Sequence, residues 1–152
     1  MPDQIQTTPP VVPLLTGEAV TLEVMSYGDC CDLLRNDEVG RTAFVTGGAI
    51  VILPVNYAFV AESVVFRTAP GSKLAHADNG AAMSFEIDGW DPAARTGWSV
   101  LVKGTSEHVT NEWLTSMFEY LGAEPWANDV PRENWVRIRS TEITGRRITH
   151  NE

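Results

Sequence analysis

Two basic side chains and a hydroxyl flank a single turn of this sequence. Arg67 lies at the end of a strand-like run, and Ser72 and Lys73 directly follow the breaker pair Pro70-Gly71. A helix that starts after such a turn presents free backbone N–H groups and the positive end of its dipole, and both favour phosphate. Arginine grips two oxygens with its fork, and lysine adds a compact charge. The spacing therefore indicates an anion site. The alternative is an ordinary strand–turn–helix with two solvated basic residues.

The overall charge argues against large anionic partners. The 152 residues include 20 acidic and 11 basic side chains, for a net charge of −9. Such a chain repels a phosphate backbone, so neither nucleic acid nor an anionic membrane is an expected partner. Any anion that binds must be held locally by a few focused donors, because the overall field of the protein opposes it.

The histidines and cysteines give only weak indications of a functional site. His76, His108 and His150 are far apart and show no metal-ligand spacing, so we expect no metal site. His76 could touch a cofactor or ligate a haem, although a surface helix position explains it more simply. Cys30 and Cys31 are adjacent, which disfavours a disulfide between them and suits a reducing compartment.

The chain length suits one domain. Four prolines and the lack of any period predict a flexible arm over residues 1–17, followed by a single domain over residues 18–152. We see no signal-peptide pattern, and the apolar run 49–55 is too short to cross a bilayer. These features predict a cytoplasmic protein.

Alternating patterns and turn residues predict a mainly β fold with a few short helices. The six predicted strands are Val39–Thr46, Ala49–Val60, Ser63–Thr68, Ala81–Asp88, Gly97–Val109 and Trp135–Ile148, with a weaker pattern over Glu18–Met25. The predicted helices begin after Ser26, at Ser72 and after Thr110. Strands joined by short turns, with helices at the ends, indicate a closed or nearly closed antiparallel β-barrel.

Three local expectations follow from residue type. The strand from Ala49 onward is apolar enough to be buried on both faces. Pro54 within it predicts a bulge or a position with no neighbour for its missing N–H. Trp113, Met117 and Tyr120 are spaced as one apolar helical stripe.

The order of several short motifs resembles the pyridoxamine 5′-phosphate oxidase-like family of flavin-binding split β-barrels. The resemblance is closest to its small actinobacterial-type members and the nitroimidazole-resistance group, and it covers Ser26–Ile148. The matching motifs are Val39-Gly40-Arg41, Pro54-Val55-Asn56-Tyr57, Phe66-Arg67-Thr68, Ser72-Lys73-Leu74, Gly97-Trp98-Ser99-Val100 with Gly104, and Ile143-Thr144-Gly145-Arg146-Arg147.

The resemblance implies a homodimer with FMN at the interface. It implies cofactor-binding roles for Pro54, Val55, Asn56, Phe66, Arg67, Thr68, Ser72, Lys73, Trp98 and Ser99. It also implies that Trp135 and Arg139 could reach the cofactor from the partner chain. The implied activity is an oxidoreductase that moves a hydride or electron pair to a small molecule. Binding of a deazaflavin or a haem, or a non-enzymatic carrier role, is the alternative.

Overall fold

The computed structural model describes residues 19–151, so the predicted arm over residues 1–17 lies outside the described part. Within residues 19–151 the chain forms eight strands and three helices. In chain order they are β1 (Ala19–Val24), α1 (Tyr27–Asn36), β2 (Val39–Thr46), β3 (Ala49–Asn56), β4 (Ala58–Val60), β5 (Ser63–Thr68), α2 (Ser72–Asp78), β6 (Ala82–Asp91), β7 (Thr96–Val109), α3 (Glu112–Glu119) and β8 (Asn134–Asn151). The mainly β, antiparallel architecture confirms the predicted fold class.

The strand count is eight rather than six, partly because the predicted strand Ala49–Val60 is interrupted. At Tyr57 the backbone N–H donates to the carbonyl of Glu38 (3.1 Å). The Tyr57 side chain turns into the core, where its hydroxyl donates to the carbonyl of Leu34 (2.7 Å). β3 therefore stays beside β2 up to Asn56, which pairs with Val39, and after Tyr57 the chain resumes as β4, which pairs with β5 instead.

All the strand pairs are antiparallel, in the order β3-β2-β6-β7-β8-β5-β4, with β1 added to β8. The 18-residue strand β8 organises the fold, since its first part pairs with β5 and its last part with β1, while β7 follows both parts. The β2–β3 hairpin turns at Gly47 and Gly48, whose φ values of 56° and 75° suit a two-residue turn, as predicted.

The expectation that β3 is buried on both faces is wrong. β3 lies at the end of the strand order, and Ile50 and Ile52 are 77% and 63% exposed. An edge strand has a neighbour on one side only, and here its outer face is also uncovered. The same placement explains Pro54, because an edge strand can leave the missing N–H without a partner.

Two apolar clusters stabilise the described residues. The larger one lies inside the barrel and includes Leu34, Phe66, Phe85, Val100 and Ile138, all fully buried. The smaller one lies beneath α3, and its members are Val65, Val109, Phe118, Ala123 and Trp135.

Helix α3 differs from its prediction in two respects. Its N-cap is Asn111 rather than Thr110, because the Asn111 side chain accepts a hydrogen bond from the N–H of Leu114 (3.1 Å). The residues that pack inward are Leu114, which is partly buried, and Phe118, which is buried, while Trp113 and Tyr120 are 70% and 91% exposed. Two members of the predicted stripe, Trp113 and Tyr120, therefore face outward.

Helix α1 follows its prediction. Ser26 caps it by accepting a hydrogen bond from the N–H of Asp29 (3.1 Å), and both cysteines of the helix are free and buried. None of the helices in residues 19–151 combines the length and the apolar character that crossing a membrane requires.

Candidate functional site

Strand β5 presents Arg67 on the face that α3 covers. Phe66 and Thr68 point to the barrel side and are buried. The Arg67 side chain lies on the other face and is 22% exposed. Trp135 of β8 pairs with Arg67 of β5, and the guanidinium carbon lies 5.3 Å from the Trp135 ring centroid. The Nε atom of Arg67 is buried without a hydrogen-bond partner. The guanidinium of Arg67 is thus held on the indole of Trp135, and its Nε–H remains available to donate a hydrogen bond.

The turn after β5 places Ser72 and Lys73 at the start of α2. Ser72 is exposed, and Lys73 is half-buried. Burial, and then the positive charge of Arg132, lower the pKa of Lys73 below its ordinary value. The fold therefore brings a third cation, Arg132, to the predicted anion site.

Arg132 belongs to residues 122–133, which we name the covering loop. Its Nη1 donates to the carbonyls of Ala127 (3.0 Å) and Val130 (3.1 Å) and to the carboxylate of Asp129 (2.9 Å). These bonds hold the guanidinium in place from within its own loop. Sequence reasoning missed Arg132, because an aperiodic loop 59 positions (132 − 73) further along carries no local signal of where it returns.

The covering loop makes two further contacts with predicted site residues. Glu124 Oε1 lies 3.6 Å from Arg67 Nη2, and the N–H of Trp126 donates to Asn56 Oδ1 (3.0 Å). Arg67, Lys73 and Asn56 therefore lie beneath one loop. We call Arg67, Lys73 and Arg132 the cation cluster.

The electrostatics of the cation cluster favour an anion. Lys73 and Arg132 repel each other, and partial burial strengthens the repulsion by removing water. The nearest compensating carboxylate on Arg67 is that of Glu124, which is 85% exposed and only weakly paired at 3.6 Å. Arg132 is already paired with Asp129 (2.9 Å), so a phosphate here would mainly offset the repulsion that Lys73 experiences and bind the available donors of Arg67.

The other predicted site residues on β3 and β5 differ in which of their groups are accessible to a ligand. The side chains of Val55 and Phe66 belong to the barrel core, so only their backbone groups could meet a ligand. The Thr68 hydroxyl is buried and donates to the carbonyl of Ala69 (3.2 Å). Pro54 is exposed on the edge strand. Their cofactor-binding roles remain predictions.

Trp98 and Ser99 lie in a different part of the described chain. They pair with Arg147 and Arg146 near the end of β8, whereas Trp135 lies near its beginning. Twelve positions (147 − 135) of extended strand span up to about 40 Å. Trp98 instead lines a cavity of about 400 Å³ with Trp90 and Arg147. Within one protomer Trp98 and Ser99 therefore lie beside the far end of β8 from Trp135, the residue that supports Arg67.

The two residues expected from the partner chain are also separated. Trp135 is 3% exposed and packs beneath Arg67 of its own chain. Arg139 is exposed, four positions further along β8, and lies opposite Ser63 of β5.

An antiparallel split barrel with a basic strand–turn–helix is the class of protein that the fold and site define. Residues 26–147 match the family model described as pyridoxamine 5′-phosphate oxidase. That match covers most of the chain, which therefore belongs to this family.

Individual relatives agree with the family match. The chain is 33% identical over 121 residues to the uncharacterized protein Rv0080 of Mycobacterium tuberculosis. The aligned segment covers 76% of this chain and 78% of the relative. It superposes on an FAD binding protein from Mycobacterium smegmatis with a TM-score of 0.70 and 32% identity, over 82% of this chain and 97% of the other. An FAD-binding protein from Mesorhizobium loti shares the fold, with a TM-score of 0.67 and 20% identity over 86% and 99% of the two chains.

Proposed function

We propose that this protein is an oxidoreductase that binds FMN and moves a hydride or an electron pair to a small-molecule substrate. The observation that carries the proposal is the cation cluster, which collects positive charge beneath one loop of a strongly acidic chain. The 32% identical FAD binding protein of Mycobacterium smegmatis supports a flavin as the ligand class. A bound flavin accepts and releases hydride, while the protein supplies binding, orientation and exclusion of water.

Four residues of the site would bind the phosphate of the cofactor, each in a different way. Arg67, stacked on Trp135, would grip two phosphate oxygens, and Lys73 and Arg132 would add charge. The Ser72 hydroxyl would donate to a further oxygen. The phosphate would take the place of the Glu124 carboxylate on Arg67, an exchange that is cheap because the Glu124 pair is exposed and long.

Asn56 would orient the ring system of the flavin. Its side-chain oxygen accepts from the N–H of Trp126, so the amide nitrogen is the group it can offer a ligand. The exposed indole of Trp126 lies on the same loop and provides a flat apolar surface.

The partner in this proposal is a second copy of the chain. Val45, Ile50 and Ile52 lie on one face of the β2–β3 hairpin and are each more than half exposed. A two-fold contact would cover this apolar edge, which otherwise invites non-specific pairing. A partner protomer could also supply Trp98 and Ser99, which lie too far along the sheet to reach the cation cluster of their own chain.

Titration with FMN tests the site. We expect Arg67→Ala with Lys73→Ala to weaken FMN binding by about 100-fold or more, since two charge-assisted contacts are lost. The control pair Arg35→Ala with Lys103→Ala removes the same charge at exposed positions and should bind FMN like the parent. Equal affinity of both double variants would place the phosphate elsewhere.

Reduction of the bound flavin separates an enzyme from a carrier. The loaded protein is mixed with NADPH or with a reduced deazaflavin while the visible absorbance is followed. Bleaching followed by recovery with an electron acceptor is expected for an oxidoreductase. Persistent colour with every donor would favour a carrier.

A second candidate, haem binding, is favoured by one observation. His76 lines a cavity of about 670 Å³, which we name the His76 cavity, together with Phe44 and Ile50. Its Nε2 lies 2.6 Å from the carbonyl of Ala82, so a proton on Nε2 would leave Nδ1 as the ligating nitrogen. A Soret band that disappears in His76→Ala would favour haem, whereas flavin bands alone would favour FMN.

A further inference from the structure

A third cavity lies on the same face of the sheet as Arg67 but at the other end of the β5–β8 pair. It has a volume of about 310 Å³ and lies between α3, the β4–β5 turn and β8. We name it the α3 cavity. Its position follows from the register, since Arg67 faces Trp135 whereas Ser63, four positions earlier, faces Arg139. The α3 cavity is therefore about 13 Å along the strand from the cation cluster.

One wall of the α3 cavity is apolar. Leu114, Met117 and Phe118 of α3 line it, and Val60 of β4 completes the wall. Met117 is 38% exposed, although it lies on the same helix as the fully packed Phe118. Methionine adapts its shape to a variable apolar partner and contacts aromatic rings favourably.

The opposite wall carries two guanidinium groups that share one carboxylate. Arg137 is hydrogen-bonded to Glu107 directly across the β7–β8 pair, and Arg139 Nε lies 3.4 Å from the second Glu107 oxygen. The Arg139 side chain is 63% exposed. Glu107 binds Arg137 through both Nε and Nη2 but meets Arg139 only at Nε, so the Nη groups of Arg139 can still bind a ligand.

The second carboxylate at the cavity, Glu62, is held at the rim by Tyr27 rather than by an arginine. It accepts a hydrogen bond from the hydroxyl of Tyr27 (2.6 Å). The carbonyl of Glu62 accepts from both the hydroxyl (2.6 Å) and the N–H (3.3 Å) of Ser140. These bonds fix the turn at Ala61 and Glu62, so the rim of the α3 cavity is formed in advance.

We propose that the α3 cavity binds an amphipathic monocarboxylate, with the acid group on Arg139 and the apolar body against Met117. A guanidinium recognises a carboxylate through two parallel hydrogen bonds, and the apolar wall excludes fully polar anions. The volume is at the lower end of the range of small-molecule sites, which selects a compact ligand. This site is separate from the proposed flavin site.

The methionine methyl groups allow a site-specific test. Met117 lines the α3 cavity, Met25 lines the cavity beside Trp98, and Met83 lines the His76 cavity. Protein labelled with ¹³C at the methionine methyls is titrated with 4-phenylbutyrate, and the Met117 signal is assigned with Met117→Leu. We expect a saturable shift of Met117, strengthened by the ring of the probe, while Met25 and Met83 stay in place.

Two comparisons test the recognition of the acid group. The neutral analogue 4-phenylbutanol and the variant Arg139→Gln should each bind about tenfold more weakly or worse, because each loses a charge-assisted pair. Arg35→Gln, which removes an exposed arginine from α1, should bind like the parent. The proposal is overturned if the Met117 signal does not move, if Met25 or Met83 shifts first, or if the alcohol or Arg139→Gln binds equally well.

Discussion

Arg132 lies close enough to Lys73 to lower the pKa of the lysine, although the two residues come from a distant loop and a helix start. Burial is the first cause of the lowered pKa of Lys73, and the positive charge of Arg132 is the second. The fold therefore holds two cations together that would separate in a flexible chain. This arrangement is the main physical reason to expect an anion here.

Removing the charge of Arg132 should raise the pKa of Lys73. We expect the ¹³Cε titration of Lys73 to move upward in Arg132→Gln, toward the ordinary value of 10.5. Lys73 and Lys103 are the two lysines of the sequence, so Lys103 serves as an internal reference. An unchanged Lys73 titration in Arg132→Gln would mean that the covering loop does not hold Arg132 at this site.

The same pKa shift predicts a dependence of stability on pH. Between the lowered pKa of Lys73 and 10.5, the unfolded chain binds the lysine proton and the native protein does not. Stability therefore rises with pH in that window. We expect this rise to be smaller in Lys73→Met than in Lys103→Met, measured by urea unfolding across the window. Identical pH profiles of the two variants would contradict the shift.

Trp135 should support both the fold and the anion site. Its ring packs against Phe118 with centroids 5.4 Å apart and carries the Arg67 guanidinium on its face. Trp135→Leu should cost about 3 kcal/mol of unfolding free energy and should also weaken FMN binding. Trp126→Leu, at a position 74% exposed, should change stability by less than about 0.5 kcal/mol. Equal stability of the two variants in urea would contradict the burial of Trp135.

The two candidate caps of α3 provide a direct comparison of sequence and structure. Asn111→Ala removes the acceptor for the Leu114 N–H and should destabilise the protein by about 1 kcal/mol. Thr110→Ala should have almost no effect, because Thr110 lies one position before the cap. Thermal unfolding of both variants decides between them, and a larger loss in Thr110→Ala would contradict the observed cap.

The sequence carried enough information to predict features that depend on neighbours in the chain. The hairpin turn at Gly47-Gly48 depends only on a positive φ at two adjacent positions. The cap at Ser26 depends only on the helix that begins beside it. The exposure of Ile50 could not be predicted in this way, because it depends on which strands pair and where the sheet ends. The position of Arg132 could not be predicted for the same reason, since Lys73 is distant from it in sequence. The break at Tyr57 was missed as well, because it depends on the change of partner strand from β2 to β5 and on a hydrogen bond to the distant Leu34.

The proposed homodimer depends on the exposed edge of the sheet. Ile50→Glu with Ile52→Glu places two charges on β3, where an apolar contact between copies would have to bury them. We expect this variant to sediment as a monomer and to bind FMN more weakly, because Trp98 and Ser99 of a partner would be lost from the site. Trp113→Glu with Tyr120→Glu changes two residues near α3 that are 70% and 91% exposed, and this control should remain a dimer. If the α3 variant dissociates and the β3 variant does not, the copies meet through α3 and the role given to the β2–β3 hairpin is wrong.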